Sequence, residues 1–389
     1  MTESPIASID LFHVRLPTRR EHKWTGLTEP IGGYIVLKMN DRDGRAGWGE
    51  APALKDWGGD FGRYYGESPA TVRAVISQYL APAATGCLPG DIGELHARMD
   101  RALKGHPYAK AAIEIAAYDL AGLQLGIPSH RLLGGAVRRR IAVTHSIGLI
   151  AFEEAEREAA QAVREGVRTL KIKVGVDPDR DVEMVLRVRD TVGPKVALAV
   201  DANQGYATPG EAIRVFRRMA RADLAYFEQP VEGIARLAEV ARAIDAPVMA
   251  DESAWTAHDV LEIAERRAAQ LISIYTTKPG GLYRAMEVAA VARAAGLVCN
   301  VNGSVETGIG NRANIALAAC APAATLSCVV PVSTPAEAQS SEIAGIYYKD
   351  DLIAAPMRFA DGAIDVPAGP GLGIAVDEDK VRRYRVSNA

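Results

Sequence analysis

The sequence lacks the features that mark a nucleic-acid-binding or membrane protein. Its 389 residues carry a formal net charge of −3, and no long run of lysine and arginine provides an electrostatic footprint for nucleic acid. No uninterrupted apolar stretch approaches the roughly 18 residues that a membrane-spanning helix needs. Residues 1–17 alternate polar and apolar side chains and lack the apolar core of a signal peptide. We therefore expect a cytoplasmic protein that binds neither nucleic acid nor a membrane.

Cysteine is scarce, and motifs built on it are missing. The four cysteines form no CxxC pair, and three of them lie in apolar runs, which is typical of reduced, buried thiols. A GxGxxG motif is also missing after the first strand of the parallel region described next. Its absence counts against a dinucleotide-binding fold.

A β/α pattern extends from about residue 140 to residue 334, where short apolar runs alternate with helical patterns. Eight such runs favour a closed barrel over an open doubly wound sheet. The predicted strands are 141–146, 169–174, 196–200, 224–228, 247–250, 271–275, 297–300 and 325–330. A barrel of roughly 200–250 residues with a smaller partner domain suits the length of the chain.

The regions on either side of this pattern have a different character. Residues 6–16 and 34–40 predict antiparallel strands, and helical patterns follow them. The residues after 334 include a glycine-rich stretch and a charged tail. We therefore divide the chain into an α+β module at 1–135, a β/α barrel at 136–334 and a segment at 335–389 that returns to the first module.

Three carboxylates lie at the ends of successive predicted strands. They are Asp201, Glu228 and Asp251, spaced 27 and 23 residues apart. In a barrel these positions converge on the C-terminal mouth, where active sites lie. Convergent carboxylates repel one another unless a cation lies between them, and an all-oxygen ligand set favours Mg²⁺. Helix capping is the alternative, but Thr208 is the better cap after Asp201, and Gln229-Pro230 follows Glu228.

Two lysines precede these acids on a single strand. Alternation puts Lys171 and Lys173 on one face, while their apolar neighbours lie on the face that should pack against helices. The lysines should therefore point into the barrel, where the acids can pair with them. Adjacent ammonium groups lower each other's pKa, which leaves one of them able to act as a base. The alternative is a pair of lysines that reach from a strand end into water.

Together these motifs resemble the muconate lactonising subgroup of the enolase superfamily, over essentially the whole chain. The matching pieces are GWGE at 47–50, KIK at 171–173, DAN at 201–203, EQP at 228–230, DES at 251–253, GG at 280–281 and GPGLG at 369–373. The resemblance implies an α/β fold, a modified TIM-type (β/α)7β barrel under an α+β capping domain built from both chain ends. It also implies a homo-oligomer, either a dimer or an octamer.

The resemblance implies a mechanism as well. Mg²⁺ held by Asp201, Glu228 and Asp251 would bind the carboxylate of a small substrate and stabilise an enolate, which is the known pattern of this superfamily. Lys173 would be the base that removes the α-proton, and Lys171 would adjust the pKa of Lys173.

The sixth strand departs from the family pattern. A further lysine usually stands five residues before the Gly-Gly pair, and Tyr275 occupies that position here. Lys278 follows three residues later with the opposite strand parity, so a bulge would be needed to turn it inward. Racemisation needs an acid or a base on each face of the substrate, and tyrosine can serve as either. The departure nevertheless favours reactions that use Lys173 on one face, with Tyr275 or Lys278 in the place of the second lysine.

We therefore favour a cycloisomerase or a dehydratase acting on a small carboxylate. The seventh strand lacks the histidine of the mandelate racemase subgroup, and the eighth lacks the Asp-x-Asp of dipeptide epimerases. A racemase or epimerase of an N-substituted amino acid is the alternative. Glu306 and the glycines after it resemble the corresponding block of N-succinylamino acid racemases, although helix packing also explains them. A non-catalytic relative that binds an acidic metabolite is the third possibility.

Two loops are expected to select the substrate, as in the family. The first runs from Arg19 to Trp24 and contains Lys23, and the second runs from Lys55 to Phe61 and contains Trp57. The cationic first loop suggests a second acidic group on the substrate, although a solvated surface loop is equally consistent. The tryptophans could close over an apolar part of the substrate. The other predicted substrate-binding residues are Asn203, Asn302 and Glu306.

Overall fold

An antiparallel sheet and a layer of helices come first in the chain. The computed structural model describes residues 3–52, 54–332 and 342–386. The sheet has the order β1 (Ile6–Arg15), β2 (Gly33–Asp41), β3 (Ala46–Pro52), and a short pair follows, β4 (Gly58–Gly59) with β5 (Tyr64–Tyr65). The helices are α1 (Pro69–Val75), α2 (Ala81–Ala84), α3 (Ile92–Ala102), α4 (Pro107–Leu125) and α5 (Ser129–Leu132), with a 3₁₀ turn at Asp60–Gly62 and a π-helical turn at Ile76–Leu80.

The close approach of β3 to α4 explains the two glycines of the GWGE motif. A Cβ atom on Gly49 would lie 2.0 Å from the carbonyl oxygen of Ala112, and one on Gly47 would lie 2.4 Å from that of Ala116. Only glycine leaves room for the helix backbone at these distances. The glycines therefore set the spacing between sheet and helix, and the motif ends on Glu50, which reaches the barrel.

The barrel follows as alternating strands and helices. The strands are β6 (Arg140–Ala142), β7 (Thr144–Ile147), β8 (Thr169–Lys173), β9 (Ala197–Asp201), β10 (Leu224–Glu228), β11 (Val248–Ala250), β12 (Leu271–Ile274) and β13 (Val298–Val301). The helices are α6 (Phe152–Arg164), α7 (Pro178–Val192), α8 (Pro209–Arg218), α9 (Ile234–Ala243), α10 (Ala257–Arg266), α11 (Leu282–Ala294) and α12 (Gly308–Cys320), with a 3₁₀ turn at Ala220–Ala222.

Strands β7 to β13 form one parallel sheet in chain order. The segment after α12 joins its two edges, because Leu326 N donates to Cys299 O of β13 and Cys328 N donates to Ala142 O beside β7. This segment stands where an eighth strand was predicted at 325–330. It forms isolated bridges on the two sides, Val143 with Cys328 and Cys299 with Ala324, and no regular strand. The predicted fold class, a (β/α)7β barrel with an α+β capping domain, is confirmed.

The end of the chain contacts both earlier regions. Its elements are β14 (Phe359–Ala360), β15 (Ala363–Asp365) and α13 (Glu378–Arg383). β15 pairs with β6, whereas Arg15 N of β1 donates to Tyr384 O and Val386 N donates to His13 O. The domain boundary predicted at residue 334 lies outside the described residues, and the division at 135 stays a prediction. In the described part of the chain, no helix has both the length and the apolar character that crossing a membrane requires.

Glu50 links the first sheet to the barrel. Its carboxylate accepts hydrogen bonds from the backbone N–H of Thr307, at 2.8 Å, and from the hydroxyl of Thr307, at the start of α12. Glu50 is fully buried. Burial raises its pKa to about 8, because the hydrogen bonds from Thr307 only partly offset the lost hydration and Glu306 adds repulsion.

This raised pKa predicts a pH-dependent stability. A carboxyl group whose pKa is higher in the folded protein than in the unfolded chain stabilises the fold when the pH is below its ordinary pKa of 4.5. This contribution is lost as the pH rises through about 8. We therefore expect the free energy of unfolding of Glu50→Gln, relative to that of the parent, to rise by on the order of 3 kcal/mol between pH 5 and 8.5. Urea unfolding of both proteins at fixed Mg²⁺ concentration measures this difference. Parallel pH profiles would contradict it, and the exposed Glu21→Gln is the control.

Candidate active site

Asp201, Glu228 and Asp251 converge at the C-terminal ends of neighbouring strands. Glu228 lies beside Asp201 in the parallel register, and Asp251 directly follows β11. All three are buried, and each offers a carboxylate oxygen within 4.8 Å of the others. Burial, with the negative charge of Asp201, raises the pKa of Glu228. The cluster of buried oxygens therefore fits a hard divalent cation, which would relieve the repulsion.

Lys171 and Lys173 point into the barrel from β8, on the face predicted by strand alternation. Lys171 Nζ lies 3.1 Å from both carboxylate oxygens of Glu228 and 3.1 Å from Asp201 Oδ2. Burial opposes the charge of Lys171, but these carboxylates outweigh it and hold its pKa well above the ordinary value. The expectation that the lysines lower each other's pKa is therefore wrong for Lys171, since the carboxylates lie in direct contact with it.

Lys173 is held by a chain of hydrogen bonds that reaches the first module. Its Nζ donates to Asp201 Oδ2 and to Asn203 Oδ1, both at 2.7 Å. The amide of Asn203 donates in turn to Glu252 Oε1 at 2.9 Å, and Trp57 Nε1 donates to the same oxygen at 3.2 Å. The second loop of the capping region is thus connected to the lysine through two side chains.

Tyr275 and Lys278 both contact Asp251. The hydroxyl of Tyr275 donates to Asp251 Oδ2 at 2.8 Å, and Lys278 Nζ lies 2.8 Å from Asp251 Oδ1. Lys278 Nζ also donates to Asp251 O at 2.9 Å and to Ser273 O at 2.7 Å, and it lies 4.3 Å from the centre of the Tyr275 ring. No bulge turns Lys278 inward. β12 ends at Ile274, and the loop beyond it brings Lys278 to Asp251.

A small, partly open cavity of about 40 Å³ lies above these groups. The two predicted tryptophans border it, and the ring centre of Trp24 lies 5.7 Å from Lys173 Nζ. Trp57 stacks on Tyr275 with ring centres 5.3 Å apart. The lining residues are His22, Trp24, Leu54, Trp57, Ser146, Lys171, Lys173, Asn203, Tyr275, Asn302, Gly303, Ser304, Val305, Val329 and Tyr347.

Two of the predicted substrate residues lie outside this lining. Lys23 lies between His22 and Trp24, which both line the cavity, so its own side chain points outward. This side chain is half exposed and pairs with Glu21 at 2.8 Å. Glu306 is buried and accepts a hydrogen bond from Ser304 N at 2.8 Å. A Cβ atom on Gly303, which lines the cavity, would lie 2.1 Å from Glu306 Oε2, so the carboxylate of Glu306 packs against the cavity wall without being part of the lining. By contrast, Asn302 lines the cavity, with its amide 3.3 Å from Glu228 Oε1.

Sequence reasoning missed four polar lining residues, which are His22, Ser146, Ser304 and Tyr347. Ser146 lies beside Lys171 in the register of β7 and β8, so its position at a strand end was a usable signal. His22 lies two residues before Trp24, so in an extended backbone both side chains point to the same side. This spacing was a usable signal as well. Tyr347 belongs to the segment after the barrel, where no periodic pattern indicates which side chains turn inward.

Comparisons with known proteins agree with this architecture. Residues 8–134 match the family described as "Mandelate racemase / muconate lactonizing enzyme, N-terminal domain", and residues 154–380 match "Enolase C-terminal domain-like". Muconate cycloisomerase 1 of Rhodococcus opacus is 32% identical, with 99% of each chain covered. L-Ala-D/L-Glu epimerase of Bacillus subtilis is also 32% identical, over 95% of this chain and 96% of the epimerase.

A solved structure extends the likeness to three dimensions. The crystal structure of N-succinyl Arg/Lys racemase from Bacillus cereus superimposes with a TM-score of 0.88 at 29% identity, and the match covers 98% of each chain. The relatives thus include cycloisomerases, racemases and epimerases, all built on one scaffold. With both family domains matched and the acidic cluster in place at the barrel mouth, the chain belongs to the mandelate racemase/muconate lactonizing enzyme family of the enolase superfamily.

Proposed function

We propose that this chain is a Mg²⁺-dependent enzyme in which Lys173 removes the α-proton of a small carboxylate. The reaction is then completed on the same face of the substrate, as in a cycloisomerase or a dehydratase. The observation that carries this proposal is the difference between the two sides of the cavity. Strands β8 and β12 lie four positions apart in the barrel, so Lys173 and Tyr275 approach the substrate from opposite sides.

The acidic cluster supplies the cation site. Asp201, Glu228 and Asp251 would hold Mg²⁺, which when bound stabilises the negative charge that develops on the substrate carboxylate. Lys171 contacts both Glu228 and Asp201, and it therefore fixes these two carboxylates relative to each other. Because Lys171 pairs with both carboxylates, we assign it the role of positioning them.

Lys173 has the surroundings of a base. Asp201 and Asn203 occupy two of the directions around its nitrogen, and the side chain borders the cavity. The remaining direction can accept the α-proton from a substrate held in the cavity and return it after bond reorganisation. Because Asn203 and Asp201 fix the nitrogen, the proton returns to the face from which it came.

Among the described residues, the opposite side of the cavity offers no comparable base. The Tyr275 hydroxyl already donates to Asp251, and all three N–H directions of Lys278 are used by Asp251 and Ser273. Lys278 is also absent from the cavity lining in the described part of the chain. We therefore propose that Lys278 compensates the charge of Asp251.

Proton exchange observed by NMR tests the proposal. The full-length protein with Mg²⁺ is incubated in D₂O with a panel of carboxylic acids that carry an α-proton. We expect deuterium at the α-carbon and unchanged configuration. Exchange with scrambled configuration would support the second candidate, a racemase or epimerase, which the likeness to the Bacillus cereus racemase favours. Binding without any exchange would support a non-catalytic role.

Tyr275→Phe separates the two candidate reactions. For one-face chemistry the loss of this hydroxyl should slow α-proton exchange by less than about tenfold, because Tyr275 then only orients Asp251. Exchange rates and product configuration by NMR provide the measurement. A loss as large as that of the base itself, or the loss of exchange in one enantiomer alone, would show that Tyr275 transfers a proton.

A further inference from the structure

The cavity carries positive charge at one end only. Lys171 and Lys173 are the lysines or arginines that line it in the described part of the chain, and both contact Asp201. The residues outside the described ranges include no lysine or arginine. A substrate with two carboxylates would place one beside the acidic cluster and its lysines. The other would then meet no cation.

The arginines of the first loop, Arg19 and Arg20, are bound to a buried acid. Arg20 Nε lies 2.8 Å from Glu158 Oε2, Arg19 Nη2 lies 3.5 Å from the same oxygen, and His145 Nε2 lies 2.7 Å from Glu158 Oε1. Although burial opposes ionisation, the hydrogen bonds from His145 and Arg20 hold the pKa of Glu158 well below its ordinary range. Turning either arginine toward a substrate would weaken the pairing of a buried charge, which is costly.

The lysines of the two loops face away from the cavity. Lys23 pairs with Glu21 at 2.8 Å, and Lys55 pairs with Asp56 at 2.7 Å and with Glu29 at 3.2 Å. Both lysine side chains are about half exposed. The lysines of these loops therefore do not line the cavity, and their positions favour the alternative of a solvated surface loop over a second acidic group on the substrate.

His22 supplies a neutral hydrogen-bond donor instead. Its Nδ1 lies 3.2 Å from Arg20 Nη1, and since arginine can only donate, Nδ1 accepts and the proton resides on Nε2. Burial, with the positive charges of Arg20 and Lys173, holds the pKa of His22 well below its ordinary value. No partner for Nε2 occurs among the residues described, and His22 lines the cavity.

We infer that the substrate is a monocarboxylate, with a largely apolar remainder that carries no second anionic group and presents one hydrogen-bond acceptor to His22. The apolar surface that would cover this remainder is formed by Trp24, Leu54, Trp57, Val305 and Val329. The inference rests on the proposed function, because that function assigns the one carboxylate to the metal end. It separates this chain from a relative named for muconate, which is a dicarboxylate.

Matched pairs of ligands test the inference by binding alone. Each pair consists of a dicarboxylate and its monoamide. The pairs are muconate with its monoamide, adipate with its monoamide, and 4-carboxyphenylacetate with 4-carbamoylphenylacetate. Calorimetric titration of the full-length protein saturated with Mg²⁺ measures both members. We expect each monoamide to bind at least tenfold more tightly than its dicarboxylate. Equal or tighter binding of the dicarboxylates would overturn the inference, and so would the failure of every monoamide to bind.

A variant that adds a cation provides the matched control. Leu54→Arg should strengthen dicarboxylate binding at least tenfold relative to Leu54→Gln, which adds a polar group without charge, while monoamide binding changes equally in both. If Leu54→Arg does not favour dicarboxylates, charge does not select the substrate and the inference falls. Selective binding without α-proton exchange would instead count against the proposed function and would leave the inference standing.

Discussion

Replacing Lys173 by alanine is expected to slow α-proton exchange by about 10²–10⁴-fold, the range that a positioned base contributes. Lys173 combines access to the cavity with hydrogen bonds that fix its nitrogen, and the described residues place no second lysine in an equivalent position. The initial rate of deuterium incorporation at the α-carbon, measured by NMR at saturating Mg²⁺, gives the size of the loss.

Two controls make this result specific. Lys23→Ala removes a lysine of the first loop whose side chain points to solvent, and we expect its exchange rate to stay within twofold of the parent. Lys173→Ala should still be stabilised by Mg²⁺, because the three carboxylates remain. An exchange rate in Lys173→Ala close to that of the parent, with Mg²⁺ bound, would remove Lys173 from the mechanism.

Glu228→Gln is expected to abolish the stabilisation that Mg²⁺ provides. At a hundred times its dissociation constant a ligand adds about 2.7 kcal/mol to the free energy of unfolding, and a hundredfold weaker site would leave only a few tenths. Lys171 keeps Asp201 as a partner at 3.1 Å, so the substitution leaves no unpaired charge in the apo protein. Urea unfolding with and without Mg²⁺ measures the difference.

The control for this prediction is another buried glutamate. Glu306 lies outside the acidic cluster, and Glu306→Gln should retain the full effect of Mg²⁺. If Glu228→Gln responds to Mg²⁺ as strongly as the parent, Glu228 is not a ligand and the cation binds elsewhere. A loss in both variants would indicate a general effect of removing buried charge.

The convergence of the acids could be predicted because it depends on strand order and strand ends. Each apolar run stops just before Asp201, Glu228 or Asp251, and parallel strands of one sheet end at the same edge. The inward direction of Lys171 and Lys173 follows from the period of two along β8. These features are local, so a single sequence contains them.

The remaining geometry depends on contacts that local patterns do not encode. Alternation stops predicting side-chain direction where β12 ends, and Lys278 reaches Asp251 through a loop. Glu306 was expected to contact the substrate, but it packs against Gly303 and lies outside the cavity lining. The first loop reads as cationic until Glu158, which is far away in the sequence, neutralises its arginines. Long-range pairing of this kind cannot be read from composition.

The pairing of residues 384–386 with β1 has a consequence for the order in which the nascent chain can fold. At its C-terminal end, the outer edge of β1 exchanges hydrogen bonds with this segment: Arg15 N donates to Tyr384 O, and Val386 N donates to His13 O. Ile6, at the other end of β1, bonds Gly86 and Cys87, which precede the barrel. The C-terminal part of the edge has no such partner while the ribosome is still adding the barrel, and it could join another chain. The barrel strands, by contrast, can pair as they emerge, each with its predecessor. We therefore expect this edge of the first sheet to close late, once residues 384–386 have been made.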